Sequence, residues 1–246
     1  MNNYKSFFLY AFMLLLVQTA SAQQLVLSGK ITFERKENLH KQFTEQNSWT
    51  EQMMMRMPKY RIDQFQLSFN THKTLYKITL EDESPMASWW RVAAYNTVSN
   101  NIDTRQYTAE KTIYERNYLI EDSMPQYQWK LLGEYREVAG YNCRKAATII
   151  MDSLYIIAFY TDEIPVSAGP ESFNGLPGMV LGIVVPRLNL TYFATKIETQ
   201  PVAGTDLLPK ASKNKKTNFL SYKAELNKAV KDWGEYAGKV LWKANL

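Results

Sequence analysis

The stretch YTDEIPVSAGPESFNGLPGMVLGI, residues 160–183, is the most informative part of this chain. Between Glu163 and Gly178 it contains three prolines and three glycines in sixteen residues. Proline fixes φ near about −65°, whereas glycine gives the backbone access to positive φ. Because this density comes directly before the apolar run Met179-Val180-Leu181, it predicts one defined loop conformation that leads into one strand.

Four residues of this loop are candidate functional positions: Phe173, Leu176, Pro177 and Met179. Pro177 restricts Leu176 to an extended backbone. The three apolar side chains are then placed to anchor the loop over a sheet, and we favour this interpretation, in which the loop is a buried corner that fixes strand register. The alternative is a loop that closes over a ligand groove.

Outside this loop, the dominant pattern has a period of two. Phe65, Leu67 and Phe69 alternate with polar residues, which is typical of a strand with one buried face. Similar patterns predict strands over residues 25–33, 64–69, 75–80, 106–114, 127–132, 144–151, 154–160, 179–185 and 190–198. Short turns such as Asp152-Ser153 connect several of them, and such neighbours pair antiparallel. The predicted fold class is therefore mainly β (α+β), a curved antiparallel sheet in the form of a half-barrel.

Two segments predict helices instead. Residues 38–57 are polar, rich in Gln, Glu and Met, and lack glycine and proline, which favours a helix that crosses between two strands. Near the C-terminal end, apolar residues recur every three or four positions from 222 to 242. This spacing predicts an amphipathic helix that docks on the sheet of the same chain.

Residues 1–22 have the layout of a secretory signal peptide. A short polar start is followed by an apolar run over 6–17 and by the small-residue site Ala20-Ser21-Ala22. The apolar run is shorter than the roughly 20 residues that a transmembrane helix needs, and no second candidate span follows. We therefore expect a periplasmic or secreted protein in which residues 23–246 form a single β-rich domain.

The composition argues against nucleic-acid binding. The chain has 29 Lys and Arg against 24 Asp and Glu, a net charge of +5. Its one local cluster of lysines, Lys210, Lys213, Lys215 and Lys216, is best explained as a solvated loop. Cys143 is the only cysteine, so no internal disulfide can form, and we interpret it as a small buried hydrophobe. The sequence predicts no cofactor.

Catalytic motifs are weak in this sequence. His40 and His72, the only histidines, lack the spacing of a two-histidine zinc site. Asp162, Glu163 and Glu171 are the carboxylates that an acid/base mechanism would use. Adjacent residues on a strand point to opposite faces, so we favour a solvated strand end for the first two.

Met53, Met55 and Met57 are candidate metal ligands. Thioethers are soft ligands that suit Cu(I), and in an extended conformation these three side chains would share one face. Arg56 is a poor neighbour for a cation, however, and methionine also serves as a flexible packing residue. We favour packing or an apolar contact surface over copper.

Three runs carry a resemblance to a known family: GYNCRKA at 140–146, YIIAFYTDEIP at 155–165 and GPESFNGLPGMVL at 169–181. Their order and spacing resemble the GLPGLI family of exported Bacteroidetes proteins over residues 129–197. The chain departs from the family pattern at Met179, where leucine is usual, and at Phe159, where tryptophan often stands. The resemblance implies an exported β-rich domain, often encoded near outer-membrane receptor systems, and it brings no catalytic residues.

Three hypotheses about function follow from these features. The first, which we favour, is an exported, non-enzymatic binding or accessory protein. It would hold an apolar ligand, a lipid or a peptide, on the sheet and serve an outer-membrane receptor or another envelope component. The second is a hydrolase that uses the carboxylates near the loop. The third is a methionine-based copper-handling protein.

Overall fold

A computed structural model describes residues 25–43, 47–84, 92, 94–113 and 116–246. The predicted signal peptide, residues 1–22, lies outside these described residues. The described strands are β1 (Gly29–Asn38), β2 (Tyr60–Phe69), β3 (Lys73–Leu80), β4 (Thr97–Asn101), β5 (Gln106–Ile113), β6 (Arg116–Ser123), β7 (Lys130–Val138), β8 (Tyr141–Ile150), β9 (Leu154–Thr161), β10 (Met179–Val185), β11 (Leu190–Glu198) and β12 (Lys216–Thr217). The α-helices are α1 (Ser48–Arg56), α2 (Phe219–Ala229) and α3 (Glu235–Ala244). None of these helices is long and apolar enough to cross a membrane.

The strands form one open, curved sheet. Its order is β12-β6-β5-β4-β3-β2-β1-β11-β10-β9-β8-β7, and all neighbours pair antiparallel except β12 with β6. The prediction of a curved, mainly antiparallel sheet is thus confirmed. The sequence does not predict β4, β6 or β12. Strands β4 and β12 are short and polar, and β6 begins and ends with polar or charged residues.

One face of the sheet carries the hydrophobic core. The register of β1 and β2 pairs Ile31 with Leu67 and Phe33 with Phe65. Phe65 stacks in turn on Tyr76 of β3, with ring centroids 4.8 Å apart. The apolar side chains of α2 and α3 belong to the same core cluster, so both helices pack on this face.

The helix predicted over 38–57 is shorter in the structure. Strand β1 continues to Asn38, and α1 begins only at Ser48. A capping box fixes this start: the Asn47 side chain accepts from the Thr50 backbone N–H, and the Thr50 side chain accepts from the Asn47 N–H. The prediction placed the helix start too early because the polar residues before Asn47 carry no signal against a helix.

The single C-terminal helix predicted over 222–242 is two helices, α2 and α3. Gly234 lies between them with a φ of 57°, a left-handed conformation that glycine adopts without strain. Tyr222, Leu226 and Val240 are buried in the core of the described chain. The predicted docking of this apolar face on the chain's own sheet therefore agrees with the structure, although the helix is broken.

The loop over 162–178 joins β9 to β10 without helix or strand. The backbone N–H groups of Val166, Ala168 and Gly178 each donate to the carbonyl two residues earlier, at 2.8 Å, which gives three tight γ-turns. A Cβ atom on Gly178 would lie only 2.0 Å from the Thr161 carbonyl oxygen. Glycine at this position is therefore required for β10 to start beside β9.

Candidate functional site

Four charged side chains form a row on the buried face of β1 and β2. The strand register pairs Arg35 with Asp63 and Glu37 with Arg61. An Arg35 nitrogen lies 3.3 Å from one Asp63 carboxylate oxygen, and an Arg61 nitrogen lies 3.0 Å from the other. Each of the four residues is at most 3% exposed. We term them the charged row. Since buried charges are costly and cluster at functional sites, this row is a candidate site.

Helix α3 adds a fifth charge to the charged row. The Lys243 ammonium donates to a Glu37 carboxylate oxygen in a buried ion pair. Burial disfavours the charged carboxylate, but Lys243 and Arg35 outweigh burial and lower the pKa of Glu37. For Arg35, burial acts to lower the pKa. Tyr192, Glu37 and Asp63 outweigh burial, so the pKa of Arg35 is raised. Arg35 and Glu37 therefore both carry their charge at neutral pH.

Glu171 reaches the same interior from the loop over 162–178. Its φ is 53°, which is uncommon for a residue other than glycine. The Asn96 side-chain amide donates to one carboxylate oxygen at 2.9 Å, and the Tyr192 hydroxyl donates to the other at 3.4 Å. Burial and the Glu171 charge raise the pKa of Tyr192. A buried carboxylate on an unusual backbone conformation is typical of functional sites.

Lys111 on β5 is a buried cation that holds the end of α3. Its ammonium donates to the Ala244 carbonyl at 3.3 Å, and the Tyr222 hydroxyl donates to the same carbonyl at 2.7 Å. These two bonds satisfy a carbonyl in the last turn of α3 that has no partner within the helix. Burial lowers the pKa of Lys111 to about 8, against the opposing effect of Glu171.

Within the part of the chain that the structure describes, four buried polar atoms near Glu171 and the charged row have no hydrogen-bond partner. They are Arg35 Nε, Asn96 Oδ1 and the hydroxyl oxygens of Tyr76 and Tyr107. After burial, the Glu171 charge contributes most to the raised pKa of both Tyr76 and Tyr107, so these rings lie near it. Since buried polar atoms are nearly always paired, this interior offers hydrogen-bonding capacity that the fold itself does not use.

The predicted loop residues lie in two different environments. Phe173, Leu176 and Met179 are buried in the core cluster, whereas Pro177 is exposed. The Phe173 ring packs against Tyr127 and Trp129, with centroids 5.3 and 6.3 Å apart. The Trp129 indole N–H also donates to the Asn174 carbonyl at 2.8 Å. The loop is therefore held against residues that precede β7.

The three predicted carboxylates do not come together. Asp162 is exposed, Glu163 is half-buried and Glu171 is fully buried beside Asn96. The hydrolase hypothesis required these carboxylates to converge in one polar cleft, and the structure shows no such arrangement. Glu171 joins a different group of residues, which the sequence does not bring together.

The three methionines lie on or just after α1. Met53 and Met55 are helical rather than extended, so they do not share one face with Met57. Met55 is 84% exposed, whereas Met57 is 5% exposed. The extended geometry assumed for Cu(I) is wrong for this segment. Among the described residues, no group of three His, Cys, Asp or Glu side chains could hold a metal ion.

An open polar groove lies between β6 and the start of α2, with a volume of about 710 Å³. It is lined by Arg116, Asn117, Tyr118, Glu121, Lys215, Lys216, Thr217, Asn218, Ser221 and Glu225. The Lys216 ammonium lies 2.9 Å from a Glu121 carboxylate oxygen, and Asp122 accepts from the first amide of α2, at Phe219, at 2.9 Å. Sequence reasoning missed this groove. Its one signal was the lysine cluster, which we interpreted as a solvated loop.

Comparisons with known proteins give one family and one fold. A family model described as N-glycanase peptide, N-terminal domain, matches residues 91–224. A solved structure of PNGF-II in space group C2 is 16% identical with a TM-score of 0.50, and the match covers 89% of this chain and 33% of that one. A second solved structure of PNGF-II, in space group P21, is 17% identical with a TM-score of 0.51. That match covers 81% of this chain and 33% of that one. The chain thus spans about a third of the length of PNGF-II. No curated protein matches the chain by sequence.

The family match contradicts the predicted function. An N-glycanase domain family is glycan-related, and a generic protein that holds an apolar lipid or peptide does not fit it. The buried face also differs from what that prediction assumed, because α2 and α3 pack on it and because it carries the charged row. Alternating apolar residues predicted the sheet correctly but said nothing of the charges that share its buried face.

Proposed function

The chain belongs to the N-glycanase peptide N-terminal domain family, and on this premise we propose that it is a glycan-related domain that binds carbohydrate in the groove between β6 and α2. The proposed role is recognition of glycan or glycoprotein in support of N-glycan processing. Release of the glycan is not assigned to this chain, which spans about a third of the length of PNGF-II.

The position and chemistry of the groove support this proposal. Nine of its ten lining residues fall within the matched residues 91–224, and Glu225 follows directly after them. Sugar hydroxyls both donate and accept hydrogen bonds, and the groove offers amides, hydroxyls, carboxylates and ammonium groups. Its volume of about 710 Å³ lies within the usual range for small-ligand sites.

The proposed setting is the periplasm or the extracellular space. The signal-peptide layout of residues 1–22 and the resemblance to exported GLPGLI proteins support it. An outer-membrane or other envelope partner is part of the same proposal. Membership of the GLPGLI family remains a proposal beside the N-glycanase domain family, and fractionation of the native cells would test the setting.

Calorimetric titration with N,N′-diacetylchitobiose tests the proposed function. The double substitution Asn117→Ala and Glu121→Gln should weaken binding about tenfold or more, because it removes one amide from the groove and replaces a charged acceptor with a neutral amide. Glu51→Gln, an exposed carboxylate on α1, is the matched control and should bind like the wild type. The proposal is wrong if the wild type binds no carbohydrate, or if the groove variant binds as tightly as the control.

A further inference from the structure

We propose that helix α3 is a lid over a second, closed carbohydrate site whose floor is the charged row Arg35, Glu37, Arg61 and Asp63. This site is distinct from the groove between β6 and α2. Its ligand class, a neutral sugar ring, rests on the proposed glycan-related function. The lid itself rests on the contacts of α3 alone.

The first support is a hinge at the start of α3. Gly234 has a φ of 57°, and as the N-cap it supplies no side-chain hydrogen bond to the first turn of the helix. A Cβ atom at Gly234 would meet nothing within 4 Å, so the side of the backbone that a side chain would occupy is open. A glycine without a capping side chain gives the backbone its conformational freedom at the residue where the helix begins.

The second support is a polar latch at the other end of α3. Lys243 pairs with Glu37, and the Ala244 carbonyl accepts from both Lys111 and Tyr222. Apolar residues of similar volume often stabilise an interior at least as well as buried ion pairs do. A helix needed only for packing therefore has no need of this latch, whereas a helix that must dock and release gains a defined closed position from it.

The third support is the balance of buried charge. The buried cations of the described chain are Arg35, Arg61, Lys111 and Lys243, and the buried anions are Glu37, Asp63 and Glu171. Four cations face three anions while the lid is closed. When α3 lifts and removes Lys243, three cations face three anions, so the opened site suits a ligand without net charge.

A sugar ring meets the remaining requirements of this site. Vicinal hydroxyls can accept from a guanidinium and donate to a carboxylate, and the charged row alternates these two groups. Arg35 Nε, Asn96 Oδ1 and the hydroxyls of Tyr76 and Tyr107 are at least nine-tenths buried and find no partner among the described residues in the closed state. These four groups supply further hydrogen-bond donors and acceptors beside the charged row.

Native-state hydrogen exchange of the full chain tests the lid. The amides of α3 should exchange at least 100-fold faster than those of β1 and β2, with a weaker dependence on urea, because a partial opening exposes less surface than global unfolding. Lys243→Met should remove most protection from α3 and leave β1 and β2 protected. Lys228→Met, an exposed lysine on α2, is the control and should change neither. Exchange of α3 and the two strands in one cooperative step, in wild type and variant alike, would overturn the lid.

Titration with N,N′-diacetylchitobiose tests the site beneath the lid. Lys243→Met should tighten binding at least threefold, because it raises the fraction of open molecules. Adding Tyr192→Phe, which removes a hydroxyl from the interior, should reverse that gain, whereas the groove substitution Glu121→Gln should not. If Glu121→Gln abolishes all binding in both backgrounds, groove binding stands and the second site is wrong. If no variant binds the disaccharide, the glycan-related function itself fails, and the exchange experiment still decides the lid.

Discussion

Replacing Lys111 with methionine should change how the stability of the protein depends on pH. Burial lowers the pKa of this lysine from the ordinary 10.5 to about 8. Between these two values the unfolded chain binds a proton that the folded chain does not, so the free energy of unfolding rises with pH across this window. At about 1.36 kcal/mol per pKa unit, the full rise is about 3 kcal/mol.

The measurable part of this rise lies below pH 10. Burial raises the pKa of Tyr76, Tyr107, Tyr192 and Tyr222 above the ordinary 10.0. These tyrosines ionise first in the unfolded chain, so they lower stability as the pH rises further. From about pH 7.5 to about pH 9.5, the Lys111 contribution should amount to about 2 kcal/mol.

Urea denaturation of the wild type and of Lys111→Met at these two pH values measures the contribution. The wild type should gain about 2 kcal/mol more than the variant over this range, because the tyrosine effects are common to both proteins. Lys228→Met, at an exposed lysine, should follow the wild type. Parallel pH profiles for Lys111→Met and the wild type would refute the lowered pKa of Lys111 beneath α3.

Three further predictions concern other positions. Gly178→Ala should destabilise the protein by more than about 1 kcal/mol, because its Cβ would clash with a strand carbonyl oxygen. Thermal melting measures this loss, and it should show little change for the control Gly133→Ala, whose Cβ meets nothing within 4 Å. Glu37→Gln should cost about 3 to 5 kcal/mol at neutral pH. Because the folded pKa of Glu37 is lowered, the stability from its charge is lost as the pH falls through that pKa, so acid titration should give a shallower slope for the variant than for the wild type. Burial raises the pKa of Cys143 to about 12, so a thiol reagent at neutral pH should label it only in denaturant, and rapid labelling of the native protein would contradict this.

The sheet could be predicted from the sequence because its apolar residues alternate over long runs. The charged row could not. Arg35 and Glu37 continue the buried phase of Ile31 and Phe33 along β1, but a charged residue in a strand is normally assigned to the exposed face. The alternation along β1 places Arg35 and Glu37 on the buried face, and this was the available signal. The charge of the two side chains argued for the exposed face instead.

The position of Glu171 could not be predicted for a different reason. Its burial depends on contacts with Asn96 and Tyr192, which lie on separate parts of the chain. Such long-range contacts leave no periodic pattern in the sequence. The break at Gly234 was only partly visible, because a glycine weakens a predicted helix without fixing where the helix ends.

The two edges of the open sheet have consequences for self-association. At one edge, β12 is only two residues long, and α2 follows directly after it. At the other edge lies β7, nine residues long, which among the described strands pairs only with β8. The exposed charged residues Lys130, Glu134 and Arg136 lie along this second edge. Charged side chains on an edge strand discourage another chain from pairing with it. These charges, rather than the core, therefore oppose self-association through β7.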